Sequence, residues 1–272
     1  MLTAEQVRFY ETFGFLVVKE AFSPAEIAAI GDSFDQVLDE DRWGNDFPGD
    51  ERQEVQGFLE QRADLYRLLE DDRIFTSVEQ LLGPGFVWIG SDGNLYVGDT
   101  RWHRDSQESY QRVKVAFYLD PVDEDTGCLR VMPGSHLPGM IELLRRESWP
   151  DAEPALSGYR LPGRDLPYFP LVSEPGDLVF FSAQLFHASY GGANGRRMFA
   201  LRFGAKPSEP AHYAHLRWSY EHNLEKAAKA NSRYAGTPGF VPRDRVYSEE
   251  FFRSDSPRIR SMVAELVELG FR

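Results

Sequence analysis

The chain has 272 residues, 42% hydrophobic and 14% aromatic, enough to bury the core of one large domain or two small ones. A formal net charge of -13 argues against a nucleic-acid partner, whose phosphates attract basic surfaces, and weakly against anionic membranes. A single cysteine, Cys128, excludes an intrachain disulfide. No apolar run approaches a membrane span, and Met1-Leu2-Thr3-Ala4-Glu5 lacks the basic start and apolar core of a secretion signal, so a cytoplasmic address is expected.

Residues 3–13 have a helical pattern, with Thr3 and Gln6 spaced as a capping box and Gly14 as the stop. Phe15-Leu16-Val17-Val18 reads as a strand. Ser23-Pro24-Ala25-Glu26 starts a second helix, whose apolar positions run to about residue 40. Residues 41–58 are acidic and irregular, either a packed loop or a lid. Helical segments near 60–70 and 72–82 end at Gly83-Pro84-Gly85.

The period then changes. Residues 86–89, 93–97, 113–119, 128–132 and 178–181 read as strands, with 196–205 as a long one. Lys114 and Ala116 share one face of their strand. Asp120-Pro121 and Asp123–Gly127 carry turn chemistry. A helix near 139–147 and a Pro- and Gly-rich insertion over 148–170 interrupt the series. Residues 211–231 and 257–269 close the chain as helices. Short strands with Gly/Pro turns and no alternating βαβ pattern predict a mainly β fold: a jelly-roll, cupin-like double-stranded β-helix with flanking helices. We expect one domain over 1–272, with a helical N-terminal part (1–85), a jelly-roll core (86–206) and a helical tail (207–272).

The chemistry centres on Trp102-His103-Arg104-Asp105. Residues two apart at a strand end project to the same side, so His103 and Asp105 can aim at one point. His187, 82 positions after Asp105, joins them only in a fold that returns the chain, as a jelly roll does. Two His and a carboxylate form the triad that leaves open positions on a non-haem Fe(II). Arg196 starts the strand after the Gly191–Gly195 turn. An Arg inside a barrel is costly unless it meets an anion, and its planar fork suits a carboxylate. Alternation groups Arg196 with Met198 and Ala200; Arg197, grouped with Phe199 and Leu201, is the alternative.

These segments resemble the phytanoyl-CoA dioxygenase-like Fe(II)/2-oxoglutarate oxygenases. The resemblance rests on Gly14–Val18, Phe22–Ile27, Trp102–Asp105, Tyr118-Leu119-Asp120, Thr126–His136, Pro175-Gly176-Asp177, and His187 followed by Arg196. It covers most of the chain to about residue 205; the 41–58 loop and the tail lie outside it. It implies iron held by His103, Asp105 and His187, 2-oxoglutarate anchored by Arg196, and O2 as second co-substrate. A small organic substrate (natural product, amino-acid-like or acyl) would be oxidised with release of succinate and CO2. Related halogenases carry a small residue in the carboxylate position, so Asp105 implies hydroxylation, or desaturation or ring formation. His136, in Pro133-Gly134-Ser135-His136, looks structural.

Arg130, Trp88, Tyr96 and Gln107 are candidate substrate contacts, with Trp43 and Tyr168 as further aromatics; for each, packing is an equal reading. Rival readings are a cupin-like metal enzyme without 2-oxoglutarate and a non-catalytic jelly-roll binding protein. The sequence leaves the oligomeric state open.

Overall fold

The computed structural model describes residues 1–106, 109–140 and 166–271. Both predicted helix starts form as capping boxes. Thr3 caps α1 (Ala4–Phe13) and Ser23 caps α2 (Pro24–Asp41), each with its third-position Gln6 or Glu26 reaching back. Between them, β1 (Phe15–Val18) enters the main sheet.

The segment 41–58 is not wholly irregular. Its end forms β2 (Gln53–Gln56), an edge strand with Val55 buried. The helix expected near 60–70 is broken into 3-10 turns around α3 (Ala63–Tyr66), and α4 (Phe75–Leu82) follows. Residues 86–97 form one strand rather than two, β3 (Val87–Tyr96). Next come β4 (Thr100–His103), β5 (Arg112–Tyr118) and β6 (Leu129–Val131). The expected helix near 139–147 and most of the 148–170 insertion fall outside the described residues. The end of that insertion forms β7 (Phe169–Leu171). Then follow β8 (Leu178–Ser182), β9 (His187–Ser189) and β10 (Arg196–Gly204). The tail supplies α5 (Pro210–Ser232), α6 (Glu249–Phe252) and α7 (Pro257–Glu268).

Among the described residues the strands form two antiparallel sheets, ordered β1-β8-β5-β10-β3-β2 and β4-β9-β6-β7. This is the jelly-roll arrangement expected from the strand pattern. Period-two alternation separates the faces of the larger sheet. Val113, Val115, Phe117, Phe199, Leu201 and Phe203 point outward and pack with Phe34, Phe58 and Trp88 under the helices. Ala116, Tyr118, Met198 and Ala200 point into the barrel with Val179 and Phe181. Lys114 shares the inward face with Ala116, as the alternation predicts.

The Pro133-Gly134-Ser135-His136 segment is a fastener. Buried Ser135 accepts the Phe186 amide at 2.8 Å, immediately before His187. The Gly134 amide donates to the Phe13 carbonyl, and His136 Nε2 lies 3.1 Å from the Glu11 carbonyl. Gly14 makes this close approach possible. It caps α1 at φ +83, and a Cβ there would lie 2.5 Å from His136 Nδ1. The motif thus ties the end of α1 to the strand that carries His187.

Candidate active site

Strand pairing brings distant residues together. β4 and β9 run antiparallel with His103 opposite His187, and the two rings lie 4.3 Å apart. Asp105 follows two residues after His103, past the strand end. Its Oδ1 is 3.6 Å from His103 Nε2 and its Oδ2 is 4.0 Å from His187 Nε2. One donor atom from each residue lies within 4.8 Å of the others, close enough for a single ion to touch all three.

Hydrogen bonds set the chemical form of each donor. His103 Nδ1 lies 2.7 Å from the Arg101 carbonyl, and His187 Nδ1 lies 2.8 Å from the Leu185 carbonyl. A carbonyl only accepts, so both Nδ1 atoms carry the proton and both Nε2 lone pairs face Asp105. Burial pushes the His187 pKa down to about 3, with His103 adding to the fall, so the ring stays neutral. Burial alone would raise the Asp105 carboxyl. Lys114 leads the opposing influences and holds the group well below the usual carboxylate range. Lys114 Nζ makes the strongest of these contacts, 3.1 Å from Oδ2. Two imidazole Nε2 donors and an ionised carboxylate match the donor set a divalent iron takes.

The three residues open into a cavity of about 260 Å³ that reaches Arg196, Tyr96 and Tyr118. Arg196 projects inward from β10. It donates to the Thr126 carbonyl and to Ser189 Oγ, at 3.1 and 3.2 Å, and lies over the Tyr96 ring. Its Nε is buried and, among the described residues, has no hydrogen-bond partner. A buried guanidinium with a donor to spare fits a carboxylate. Glycines make room for it: a Cβ on Gly192 or Gly127 would lie 1.7 or 2.3 Å from Nη1. Arg197 lies on the other face of the strand, bound to Asp120 at 2.8 Å and Asp35 at 3.1 Å. That arrangement favours Arg196 over Arg197 for a ligand in the barrel.

The other expected contacts divide. Tyr96 lines the cavity, between the guanidinium groups of Arg52 and Arg196. Arg130 does not; it is 3% exposed, and its Nη1 and Nη2 donate to the carbonyls of Glu124, Cys128 and Tyr190 away from the cavity, with Nε unpartnered among the described residues. It is a structural cation on the minor sheet. Trp88 points away from the cavity, packs on Phe203, and donates Nε1 to Glu60. Gln107 lies outside the described residues. Trp43 packs at a tilt against Phe240 and Tyr168 donates to Glu124, and neither lines the cavity.

Sequence reasoning missed Lys114, Asp92 and Arg202 as cavity residues. For Lys114 the shared face with Ala116 was the available signal. It also missed α5, which walls the cavity with Trp218, Ser219, His222, Asn223 and Lys226. No local pattern marks that face.

The family model for phytanoyl-CoA dioxygenase (PhyH) matches residues 10–198, which include His103, Asp105, His187 and Arg196. The chain belongs to the phytanoyl-CoA dioxygenase family. It is therefore an Fe(II)/2-oxoglutarate-dependent oxygenase that uses iron, 2-oxoglutarate and O2. This decides against the readings without 2-oxoglutarate or without turnover. The chain is 25% identical over 258 residues to the peroxisomal phytanoyl-CoA dioxygenases of Bos taurus and Homo sapiens, covering 83% of this chain and 74% of each relative. Among solved structures, HygX from Streptomyces hygroscopicus with nickel and 2-oxoglutarate bound superposes with a TM-score of 0.60 at 19% identity, over 75% of this chain and 88% of that one. The 2-oxoglutarate-dependent carbocyclase SnoK from nogalamycin biosynthesis gives 0.59 at 20% identity, over 75% and 84%. These likenesses show the same fold. Among the described residues, no helix is long and apolar enough to cross a membrane.

Proposed function

We propose that this single oxygenase domain hydroxylates a small organic molecule, with iron held by His103, Asp105 and His187 and 2-oxoglutarate anchored through Arg196. One observation carries the assignment: three donors within 4.8 Å share a cavity with an arginine whose buried Nε lacks a partner. When bound, iron and 2-oxoglutarate supply O2 activation, and the co-substrate leaves as succinate and CO2.

The chain's own residues prepare the site. The Arg101 and Leu185 carbonyls hold both imidazoles in the Nε2-donor form. Lys114 keeps Asp105 ionised. Arg196 fixes the far carboxylate of the co-substrate, with Met198 and Phe181 supplying apolar surface in an otherwise largely charged cavity. With Asp105 in the carboxylate position, hydroxylation is favoured over halogenation. HygX binds hygromycin B and SnoK is a carbocyclase, and a natural-product-like substrate suits this cavity as well as an acyl one does.

Anaerobic addition of Fe(II) and 2-oxoglutarate tests the assignment. The wild-type protein is expected to develop the weak visible charge-transfer band of the chelate, and His103→Ala to lose it. No band with wild type, or an undiminished band in the variant, would overturn it.

A further inference from the structure

From the side of the cavity that α5 closes, we infer that the substrate is an organic oxyanion, a carboxylate or phosphate, whose acid group is received by Arg202 and Asn223. The inference rests on the reading of the iron and 2-oxoglutarate site above.

Charge is the first observation. Beyond Arg196, the cavity is lined by Arg52, Arg112, Lys114, Arg202 and Lys226, against Glu54 and Asp92. This positive patch sits in a chain whose formal net charge is -13. The loaded centre does not consume it. Iron, dianionic 2-oxoglutarate, Asp105 and Arg196 together carry no net charge. A cleft of one sign in a low-dielectric wall raises the local concentration of the opposite ion.

Two unmade hydrogen bonds give the second observation, independent of charge. Asn223, on α5, is 1% exposed and lines the cavity. Its Oδ1 accepts from Arg202 Nη1 at 3.2 Å, which fixes the amide so that Nδ2 is the free end. Among the described residues Asn223 Nδ2 has no partner, and neither does the buried Nε of Arg202. Arg202 Nη2 is held by Gln56 at 3.0 Å, and its Nε lies 3.7 Å from Asp92, beyond hydrogen-bond length. The pair thus leaves two donors and no acceptor. Buried donors are costly to leave unpaired, and an oxyanion satisfies both.

Gly90, at φ +141, lies against the pair: a Cβ there would sit at contact distance, 3.4 Å from Arg202 Nη2 and 3.5 Å from Asn223 Nδ2, so the absence of a side chain keeps both groups in place. Arg202 is at the opposite end of the inward β10 face from Arg196, directly across from Lys114 on β5. The acid group of the substrate and the far carboxylate of 2-oxoglutarate therefore have separate receptors. At the same wall Trp218 is 53% exposed and stacks on His222 at 5.1 Å, a ring surface for the body of the substrate. The matched family region stops at residue 198, so Arg202 and all of α5 lie beyond it.

The test uses full-length protein loaded anaerobically with Fe(II) and saturating 2-oxoglutarate, so that the Arg196 receptor is filled. Benzoate, phenyl phosphate and the neutral benzamide are titrated in, read by calorimetry and by perturbation of the visible band. The acids are expected to bind about tenfold or more tighter than benzamide, the scale of hydrogen bonds to a charged group. Their order separates a carboxylate site from a phosphate site. Asn223→Leu is expected to weaken acid binding about tenfold while the band still forms. Asn223→Asp, nearly isosteric, is expected to abolish acid binding and spare benzamide, and a thermal midpoint checks that both variants fold. Benzamide binding as tightly as the acids, no acid binding while the band forms, or unchanged acid binding in both folded Asn223 variants would overturn the inference. Loss of the band in wild type would instead remove the iron and 2-oxoglutarate reading beneath it.

Discussion

Gly192→Ala is expected to weaken 2-oxoglutarate binding while leaving the protein folded. An alanine Cβ there would lie 1.7 Å from Arg196 Nη1 and 2.7 Å from the Thr126 carbonyl, which itself accepts from that nitrogen. No carbon can occupy that point while the guanidinium stays. Arg196 is flexible at its far end, so it swings away rather than forcing the sheet apart. Gly192 is not in the left-handed region, so alanine brings no strain of that kind. The Thr126 backbone carbonyl at 2.7 Å must also shift, so a stability cost of about 1–3 kcal/mol is expected. The co-substrate loses a charge-assisted contact worth about 1.5–3 kcal/mol, or roughly 10- to 150-fold in affinity. The assay is an anaerobic titration of Fe(II)-loaded protein with 2-oxoglutarate, following the visible band, beside a thermal melt. Wild-type affinity in a folded Gly192→Ala protein would refute the placement of the co-substrate carboxylate at Arg196. Arg197→Ala is the matched control. Its guanidinium binds Asp120 and Asp35 on the outer face, so co-substrate affinity should stay within about twofold while stability falls by about 1 kcal/mol or less.

Two further outcomes follow from the charged groups in the interior. Lys114→Met removes the cation 3.1 Å from Asp105 and is expected to weaken Fe(II) binding by about 10- to 100-fold, measured by competition with a chromogenic chelator; unchanged affinity would show that Lys114 does not support the ligand. Burial pushes the Glu60 carboxyl up from 4.5 to about 7, against hydrogen bonds from Ser91 and Trp88. The folded state then holds a proton that the unfolded chain releases above its ordinary pKa. Stability is fullest below pH 4.5 for this group and is lost as pH rises to about 7, a total of about 3 kcal/mol. Denaturant titrations of wild type and Glu60→Gln between pH 5 and 8 check this, the variant being expected to lack that slope; identical slopes in the two proteins would contradict it.

Local patterning determined a great deal here. The capping boxes at Thr3 and Ser23, the inward alternation of β5 and β10, and the order of His103, Asp105, His187 and Arg196 are properties of short stretches. Each is legible because a helix cap, a pleat or a strand end imposes its own spacing. The choice between Arg196 and Arg197 was half legible. Alternation grouped the residues, while the pairing of Arg197 with Asp35 and Asp120 on the outer face is what supports the proposal of Arg196.

Contacts between distant segments were not legible. β2 forms only because β3 offers an edge to residues whose own pattern is irregular. Arg130 resembled a ligand-binding cation until the Glu124, Cys128 and Tyr190 carbonyls surrounded it. Trp88 took the outward face because Phe203 and Glu60 wait there. The helix α5 carries no motif, and its part in the cavity depends on where it docks against β2 and β3 rather than on its own periodicity. The sequence by itself therefore determined the fold class and the co-substrate, and it picked out the residues proposed here as iron ligands, since these repeat a spacing that the chemistry requires. Only the tertiary structure decided what faces the substrate, because that wall is assembled from segments whose side chains meet solely through packing.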